Sequence, residues 1–499
     1  MVLHVDWRDS LTLVGYVLQW LALPFVAPLA LALVDVTELL PFVLPGLVTV
    51  LVGTGLSRLT DDPELRPREA FLMVASTWLA VAVVAGLPFF LAGTGVFADP
   101  VNALFESMSG ITTTGATVVV DFEAHTRALM LWRQLIQWLG GLGILVLATA
   151  LLSELSVGGA QLMETESQLE SMTKLTPRIA DTARLLWTLY AGLTAVAIGV
   201  LYSLGIFGFA PEMTLFAAVA HALTAVSTSG FSPRAESIGA FSPAVQWALI
   251  PFMILGATSF VLIYAALRGD FKRLRRSEEL RFYLLVLATL AAVMFGLVWV
   301  TVDSISGIEA TARHAVFQIT SLVTTTGYAT ADFELWSAPA KQILLVCMFF
   351  GGMAGSTTCS IKMVRWLVIV KAFRRDLFVA ARPDSIRPVR LGGTAVDEST
   401  VRDIYAYTLI SLIFFVLGSV VLVLDSARVA HNVTELEALG ASASTFFNIG
   451  PAFGQAGPYG SYESFPTTSK LFMTLLMWVG RIEIIPVLAL LRLSFWRQP

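Results

Sequence analysis

The chain has 499 residues, 56% of them hydrophobic and only 14% charged, with a net charge of −4. That balance excludes an ordinary soluble domain and gives no reason to expect a nucleic-acid partner. Two cysteines, Cys347 and Cys359, supply neither a disulfide framework nor a metal-ligand spacing.

Apolar runs of about 20 residues recur along the chain, so the expected fold class is an all-α polytopic membrane protein. The first ten residues carry Asp6 and Asp9, and no small-residue cleavage site follows. The first apolar run is therefore expected to be retained rather than removed as a signal peptide. The predicted spans are 11–33, 39–56, 70–92, 128–152, 183–204, 242–267, 282–302, 339–370, 404–424 and 469–491, about ten transmembrane helices. Between them, segments 97–117, 211–231, 308–328 and 434–454 are too long and too apolar for simple loops. Each is predicted to be re-entrant, a short helix that comes back as an extended turn. Such backbone in a membrane must be satisfied by protein, water or an ion.

With the N-terminus inside, most of the 32 Lys and Arg residues fall in inside segments. The richest are 268–276 and 371–390. This bias predicts that both termini are cytoplasmic, and it makes the basic loops candidate docking surface for a cytoplasmic partner. Arg133, Lys362, Arg365 and Arg481 fall within spans. Outside, Asp99, Asp121, Glu123, Glu236, Asp332 and Glu334 flank the re-entrant segments, and an acidic mouth would concentrate cations. The stretch 153–178, with Glu154, Glu164, Glu166 and Glu170, reads as a cytoplasmic amphipathic connection.

The re-entrant segments align on one glycine each: Gly115, Gly230, Gly327 and Gly450. Six residues earlier stand Ser109, Thr224, Ser321 and Ser444. Four earlier stand Ile111, Val226, Val323 and Phe446, and two earlier stand Thr113, Thr228, Thr325 and Asn448. Anchoring the fourth copy on Gly454 instead breaks this register. The repeating unit is helix, re-entrant helix, turn, helix. Four parallel copies are expected around a central pore, at 70–180, 181–281, 282–402 and 403–499, after an N-terminal hairpin at 1–69. A dehydrated cation needs a cage of oxygens, which rings of backbone carbonyls can supply. Glycine opens backbone conformations that let carbonyls line an axis, hydroxyls can support them, and short helices aim their negative ends at the centre. The predicted filter residues are Thr112, Thr113, Thr114, Gly115, Thr228, Ser229, Gly230, Thr325, Thr326, Gly327, Asn448, Ile449 and Gly450. One such turn alone would read as an ordinary helix C-cap.

Span 339–370 contains a run rich in glycine and hydroxyls, Phe350-Gly-Gly-Met-Ala-Gly-Ser-Thr-Thr-Cys-Ser-Ile-Lys362. Each glycine inside a helix costs about 1 kcal/mol relative to alanine. A break is expected, with a polar loop at membrane depth and Gly351, Gly352, Gly355 and Ser356 as candidate gate residues. Close helix packing through small residues is the alternative. Arg481 lies deep in the last span, where a charge is costly and usually functional. It is expected either to hold loop carbonyls near Gly351 to Gly355 and set a barrier to cations, or to pair with Glu483 or snorkel. Lys362 and Arg365 read as inner-interface anchors, and His221 and His314 as packed or hydrogen-bonded. No phosphate loop and no nucleophile–base pair is present, so neither enzyme chemistry nor nucleotide binding is expected.

The segments Phe105-Glu-Ser-Met-Ser-Gly-Ile-Thr-Thr-Thr-Gly-Ala-Thr117, Ser227-Thr-Ser-Gly-Phe231, Thr324-Thr-Thr-Gly-Tyr328 and Asn448-Ile-Gly-Pro451 resemble the Trk/Ktr/HKT superfamily of cation transporters. The extra N-terminal hairpin is similar to its TrkH-like branch, and the resemblance covers nearly the whole chain. It implies potassium uptake across a bacterial or archaeal inner (plasma) membrane, with K+ as the transported ion and no bound cofactor. It implies a homodimer and a cytoplasmic TrkA-like regulatory subunit, whose bound NAD or ATP would act on the 351–360 loop. It also implies that this loop obstructs the pore and that Arg481 sits beneath the filter. Serine at the first filter glycine marks a sodium-preferring plant branch, so Gly115 favours potassium. The family often reads Gly-Leu-Gly after Asn448-Ile-Gly-Pro, where this chain has Ala452-Phe453-Gly454. An ion-coupled (H+ or Na+) cation symporter stays open as an alternative. An alternating-access transporter would need inverted repeats, and an intramembrane enzyme would need more than Glu483.

Overall fold

A computed structural model describes residues 5–63, 66–154, 179–385 and 387–496. The predicted amphipathic connection, from 155 to 178, lies outside the described residues. The described chain is helical apart from one two-stranded ribbon, Arg390–Leu391 with Thr394–Ala395.

At the N-terminus Asp6 caps the helix Trp7–Leu21 by accepting from Arg8 N at 3.0 Å. A short 3-10 segment, Leu23–Phe25, carries it on into Val26–Val34 as one continuous span. Gly15 and Gly53 let Trp7–Leu21 and Leu40–Leu56 pack backbone to backbone. A Cβ on either would sit 2.7 to 2.9 Å from the other's carbonyl oxygen. This pair rests on Pro67–Ala92.

Four short helices follow along the chain: Pro100–Ile111, Leu215–Val226, Ile308–Val323 and Glu435–Phe446. Three start on side-chain caps, from Asp99, Thr214 and Thr434, the last a full capping box with Glu437. Their C-terminal halves are buried all round. A long helix precedes each: Pro67–Ala92, Ile179–Ile206, Glu278–Thr301 and Glu398–Arg428. Apolar residues on these, such as Val196, Trp299 and Leu417, face outward. A return helix comes after each turn: Arg127–Glu154, Pro243–Gly256, Ala338–Cys347 and Thr467–Arg481.

Among the described residues five helices are long and apolar enough to cross a membrane, or six with the bent pair Pro243–Gly256 and Phe260–Leu267. The chain is a polytopic helical membrane protein. Three predicted spans are interrupted. The break in 339–370 was expected and separates Ala338–Cys347 from Met363–Ala381. The span 242–267 instead bends by 105° after Gly256, where Thr258 Oγ1 donates to the Ile254 carbonyl at 2.7 Å and Phe260 N to the Gly355 carbonyl at 3.1 Å. The span 469–491 breaks at Ile482 and Glu483, and Glu483 turns left-handed with φ 64°.

Candidate functional site: a ring of four turns and the loop packed on it

Each short helix ends in the same way. The N–H groups of Thr114, Ser229, Thr326 and Ile449 donate to the carbonyls of Ser109, Thr224, Ser321 and Ser444 at 2.9, 2.9, 2.8 and 2.9 Å. In the first three turns Thr113, Thr228 and Thr325 also donate to Gly110, Ala225 and Leu322 at 3.0 to 3.2 Å. This is a Schellman-type cap, which usually places glycine at its left-handed residue. Here that residue is Thr113, Thr228, Thr325 or Asn448, with φ of 55°, 51°, 51° and 56°. A side chain held there costs on the order of 1–3 kcal/mol. The aligned glycines come two residues later, with φ of 81°, 76°, 82° and 110°. The cap and the repeated register of glycines thus belong to different residues of one turn.

The glycines close the four turns into a ring. A Cβ on Gly115 would strike the carbonyl oxygen of Ser229. On Gly230 it would strike that of Thr326, and on Gly327 that of Ile449. On Gly450 it would lie 2.9 Å from the carbonyl oxygen of Thr114. Each glycine therefore seats the carbonyl that precedes the next glycine, and the fourth returns to the first. All four glycines line one cavity.

Thr113, Thr228, Thr325 and Asn448 are at most 1% exposed. Among the described residues no donor reaches their backbone carbonyls. Buried backbone acceptors are almost always paired, so four unpaired ones at one register position set these turns apart from ordinary helix ends. Behind them, hydroxyl pairs brace three turns: Thr112 with Thr114 at 2.7 Å, Ser227 with Ser229 at 2.6 Å, and Thr324 with Thr326 at 2.7 Å. Phe447 and Ile449 cannot form such a pair. Instead Asn448 Nδ2 donates to Thr114 Oγ1 at 2.7 Å and to the Met477 carbonyl at 3.0 Å. The predicted residues are brought together but do not act alike. The Ser229 carbonyl accepts from Gln137 Nε2 at 2.7 Å. The Gly450 carbonyl accepts from Ser444 Oγ at 2.6 Å and Tyr462 OH at 2.9 Å.

The loop 350–362 packs on the ring's helix ends. Thr357 Oγ1 meets Thr228 Oγ1 at 3.0 Å and donates to the Gly256 and Val226 carbonyls at 3.0 and 3.3 Å. Cys359 N donates to Thr325 Oγ1 at 3.1 Å. Met353 N donates to the Ala257 carbonyl at 2.9 Å, so the loop docks into the bend of the second return helix. Gly352 has no room for a Cβ beside Ala257, and Gly355 turns left-handed with φ 71°. Ser356 Oγ closes on the Met353 carbonyl at 2.6 Å.

Arg481 is buried and holds this loop, but not where expected. Its donors reach the Thr357 carbonyl at 3.2 Å, Cys359 Sγ at 2.7 Å and the Gly140 carbonyl at 2.8 Å. The carbonyls of Gly351 to Gly355 lie elsewhere because the loop presents its later half to the last helix. Glu483 pairs with Arg365 at 3.1 Å rather than with Arg481. Arg365 also lies 3.8 Å over the Tyr407 ring, so it is buried rather than an interface anchor. Lys362 folds back onto the Thr358 carbonyl.

The mouth is less acidic than expected. The cavity at the glycines is lined by Arg133 and Arg234 and, among the described residues, by no carboxylate. Asp121, Glu123 and Glu236 line a neighbouring surface cavity. Asp99 caps its helix, and Glu334 pairs with Lys341 at 3.4 Å. Burial, then the nearby Arg133, lowers the pKa of His125 to about 4. His221 is packed as expected, with Ala217 O at 2.7 Å and Ser232 Oγ at 3.0 Å, and His314 meets Thr330 at 2.8 Å.

Sequence reading missed the glycines of the return helices. Gly140 and Gly480 leave no room for a Cβ against the carbonyls of Ile111 and Phe446, the last residues of short helices. Gly256 stands in the same relation to Val226, at 2.8 Å. Their signal was present as an apolar-x-Gly pattern after each turn, at Trp138-Leu-Gly140, Ile254-Leu-Gly256, Phe349-Phe-Gly351 and Trp478-Val-Gly480.

The sequence profile of the TrkH family, described as a cation transport protein, matches residues 41–495. The chain is 34% identical to the Trk system potassium uptake protein TrkH of Halomonas elongata, over 98% of this chain and 99% of that one. It is 32% identical to the Trk system potassium uptake protein TrkG of Escherichia coli, over 97% of both. The crystal structure of the potassium transporter TrkH from Vibrio parahaemolyticus superposes with a TM-score of 0.87 at 30% identity, covering 99% of this chain and 100% of that one. A ring of glycine turns inside a bundle of apolar helices and full-length matches to these relatives agree: the chain belongs to the TrkH family of cation transport proteins.

Proposed function

We propose that this protein takes up potassium across the inner membrane through a selectivity filter made by its four glycine turns. The observation that carries the reading is the set of buried carbonyls of Thr113, Thr228, Thr325 and Asn448, unpaired among the described residues and held in one register. A potassium ion stripped of water would take them as ligands. Glycine at 115, 230, 327 and 450 keeps the ring tight enough to coordinate while leaving it open. The short helices point their C-terminal, negative ends at the same centre.

In this reading the four units at 70–180, 181–281, 282–402 and 403–499 are parallel repeats around the pore, after the hairpin 1–69. About ten spans leave both termini cytoplasmic. The loop with Gly351, Gly352, Gly355 and Ser356 is the gate beneath the filter. Arg481 holds it shut and adds a positive barrier at a depth where charge is poorly screened. Two copies pair as a homodimer. The basic stretches 268–276 and 371–390 dock a TrkA-like cytoplasmic subunit, whose bound NAD or ATP would decide whether the loop moves.

Reversal potentials of the purified protein in liposomes, under opposed potassium and sodium gradients, test this reading. The potential is expected to follow the potassium gradient with or without a proton gradient. A potential that follows sodium, or flux that requires protons or sodium, would favour a symporter instead.

A further inference from the structure

The return helices share a register, set by Gly140, Gly256, Gly351 and Gly480. Seven residues before these glycines stand Arg133, Leu249, Leu344 and Met473, and three before stand Gln137, Met253, Met348 and Met477. All eight are at most 1% exposed. Three units are apolar at both positions; the first carries a guanidinium and an amide. Nine residues before the filter glycines stand Glu106, His221, Gln318 and Ala441. Only the first of these is a carboxylate.

The three polar side chains of the first unit form one bracket. Glu106 accepts from Arg133 Nε at 2.5 Å and from Val118 N and Thr117 Oγ1 at 2.9 Å. This fixes the strand that leaves the first turn. Arg133 then crosses to the second turn. Its Nη1 donates to the Ser232 carbonyl at 2.8 Å, and its guanidinium lies 3.6 Å from the Phe231 ring centre. Gln137 completes the crossing. Its Nε2 holds the Ser229 carbonyl at 2.7 Å, while its Oε1 accepts from Ser229 Oγ at 2.9 Å and Phe231 N at 3.0 Å. Gly230 therefore has a donor or acceptor fixed on both sides of it by the first return helix. A buried ion pair is a poor source of stability but can impose one geometry.

We infer that Glu106, Arg133 and Gln137 are positioning residues that set ion selectivity at the junction of the first and second turns. They lock the Ser229 carbonyl against Gly115 and so fix the distance across that quarter of the ring. Glu106 also cancels the charge of Arg133, which lines the mouth cavity. In the other three units both return-helix positions are apolar, so no return-helix side chain at these registers crosses to the next turn. Tyr328 OH bridges the second and third turns through Thr224 and the His221 carbonyl, and Asn448 Nδ2 bridges the fourth and first through Thr114. The selectivity of the ring is thus controlled unequally around its circumference.

This inference rests on the filter reading above, and one experiment separates the two. Gln137→Met and the double variant Glu106→Gln with Arg133→Leu give the first unit the residues of the third, which are already packed in this fold. Reversal potentials in liposomes would be measured for both beside the unmodified protein. The potassium-to-sodium permeability ratio is expected to fall about tenfold in each, with potassium flux kept within about threefold. An unmodified protein without potassium preference would sink the filter reading itself. A selective unmodified protein with equally selective variants would overturn this inference alone. So would variants recovered only as misfolded protein, which would assign the bracket to folding.

Discussion

In the ring, Thr113, Thr228, Thr325 and Asn448 keep buried carbonyls without a donor among the described residues. In the loop packed on it, the carbonyls of Gly352, Gly355, Thr357 and Ile361 accept from Met363 N, Phe260 N, Arg481 and Gly351 N. Both regions are built of glycine, threonine and serine, and both are irregular backbone deep in the bundle. Composition alone marks them as the same kind of feature. Their hydrogen bonds separate them: among the described residues one register position of the ring lacks a donor in all four turns, whereas the loop is tied to neighbouring elements through its carbonyls and side chains. A rigid set of oxygens without internal donors suits an ion that must bind and leave. A segment anchored by Arg481, Thr357 and the bend of the second return helix suits a plug that rests closed and opens when its anchors let go.

That contrast predicts unequal mutational effects. The largest belongs to the ring. Gly327→Ser places a Cβ on the Ile449 carbonyl and a side chain at φ 82°. Selective potassium uptake is expected to fall about 100-fold, because the strain is shared with the next turn. Isotope uptake in liposomes would read it, and wild-type uptake would break the distinction. Next comes the loop anchor. Arg481→Ala frees the Thr357 carbonyl and Cys359 and removes a buried charge, so leak in the resting state should rise about tenfold. A fall in flux would mean that the arginine supports the pore rather than closes it. Thr357→Val cuts the loop's bonds to Val226, Gly256 and Thr228. Resting flux should rise about threefold, with about 1 kcal/mol lost per hydrogen bond in thermal unfolding. The smallest effect is expected behind the ring. Thr326→Val removes one hydroxyl pair, and the permeability ratio should shift about twofold with flux kept.

Much of the ring was legible in the sequence, because its register repeats and repetition filters out accidents of composition. Spacing alone singles out Gly115, Gly230, Gly327 and Gly450, and Gly450 over Gly454. The break at 350–362 was legible for a different reason, since no helix tolerates that density of glycine and hydroxyls cheaply. Other features depended on which side chains meet across units, which spacing does not encode. Arg481 was placed on the loop but its carbonyl was misassigned, because the loop's own fold decides which residues face the last helix. Glu483 was offered to Arg481 by proximity in sequence, yet the left-handed turn at Glu483 swings it to Arg365. The 105° bend after Gly256 was missed because its apolar flanks read as one span. The acidic mouth was inferred from charge counts, which cannot say that Asp99 caps a helix or that Arg133 lines the cavity.

In the proposed filter the four unpaired carbonyls are the ligands of a bare cation. Anomalous diffraction from crystals of the protein soaked in rubidium or thallium would test it directly. A peak on the ring axis, within coordination distance of the carbonyls of Thr113, Thr228, Thr325 and Asn448, is the predicted result. A ring without such a peak, in crystals whose cation density lies elsewhere in the protein, would contradict the account.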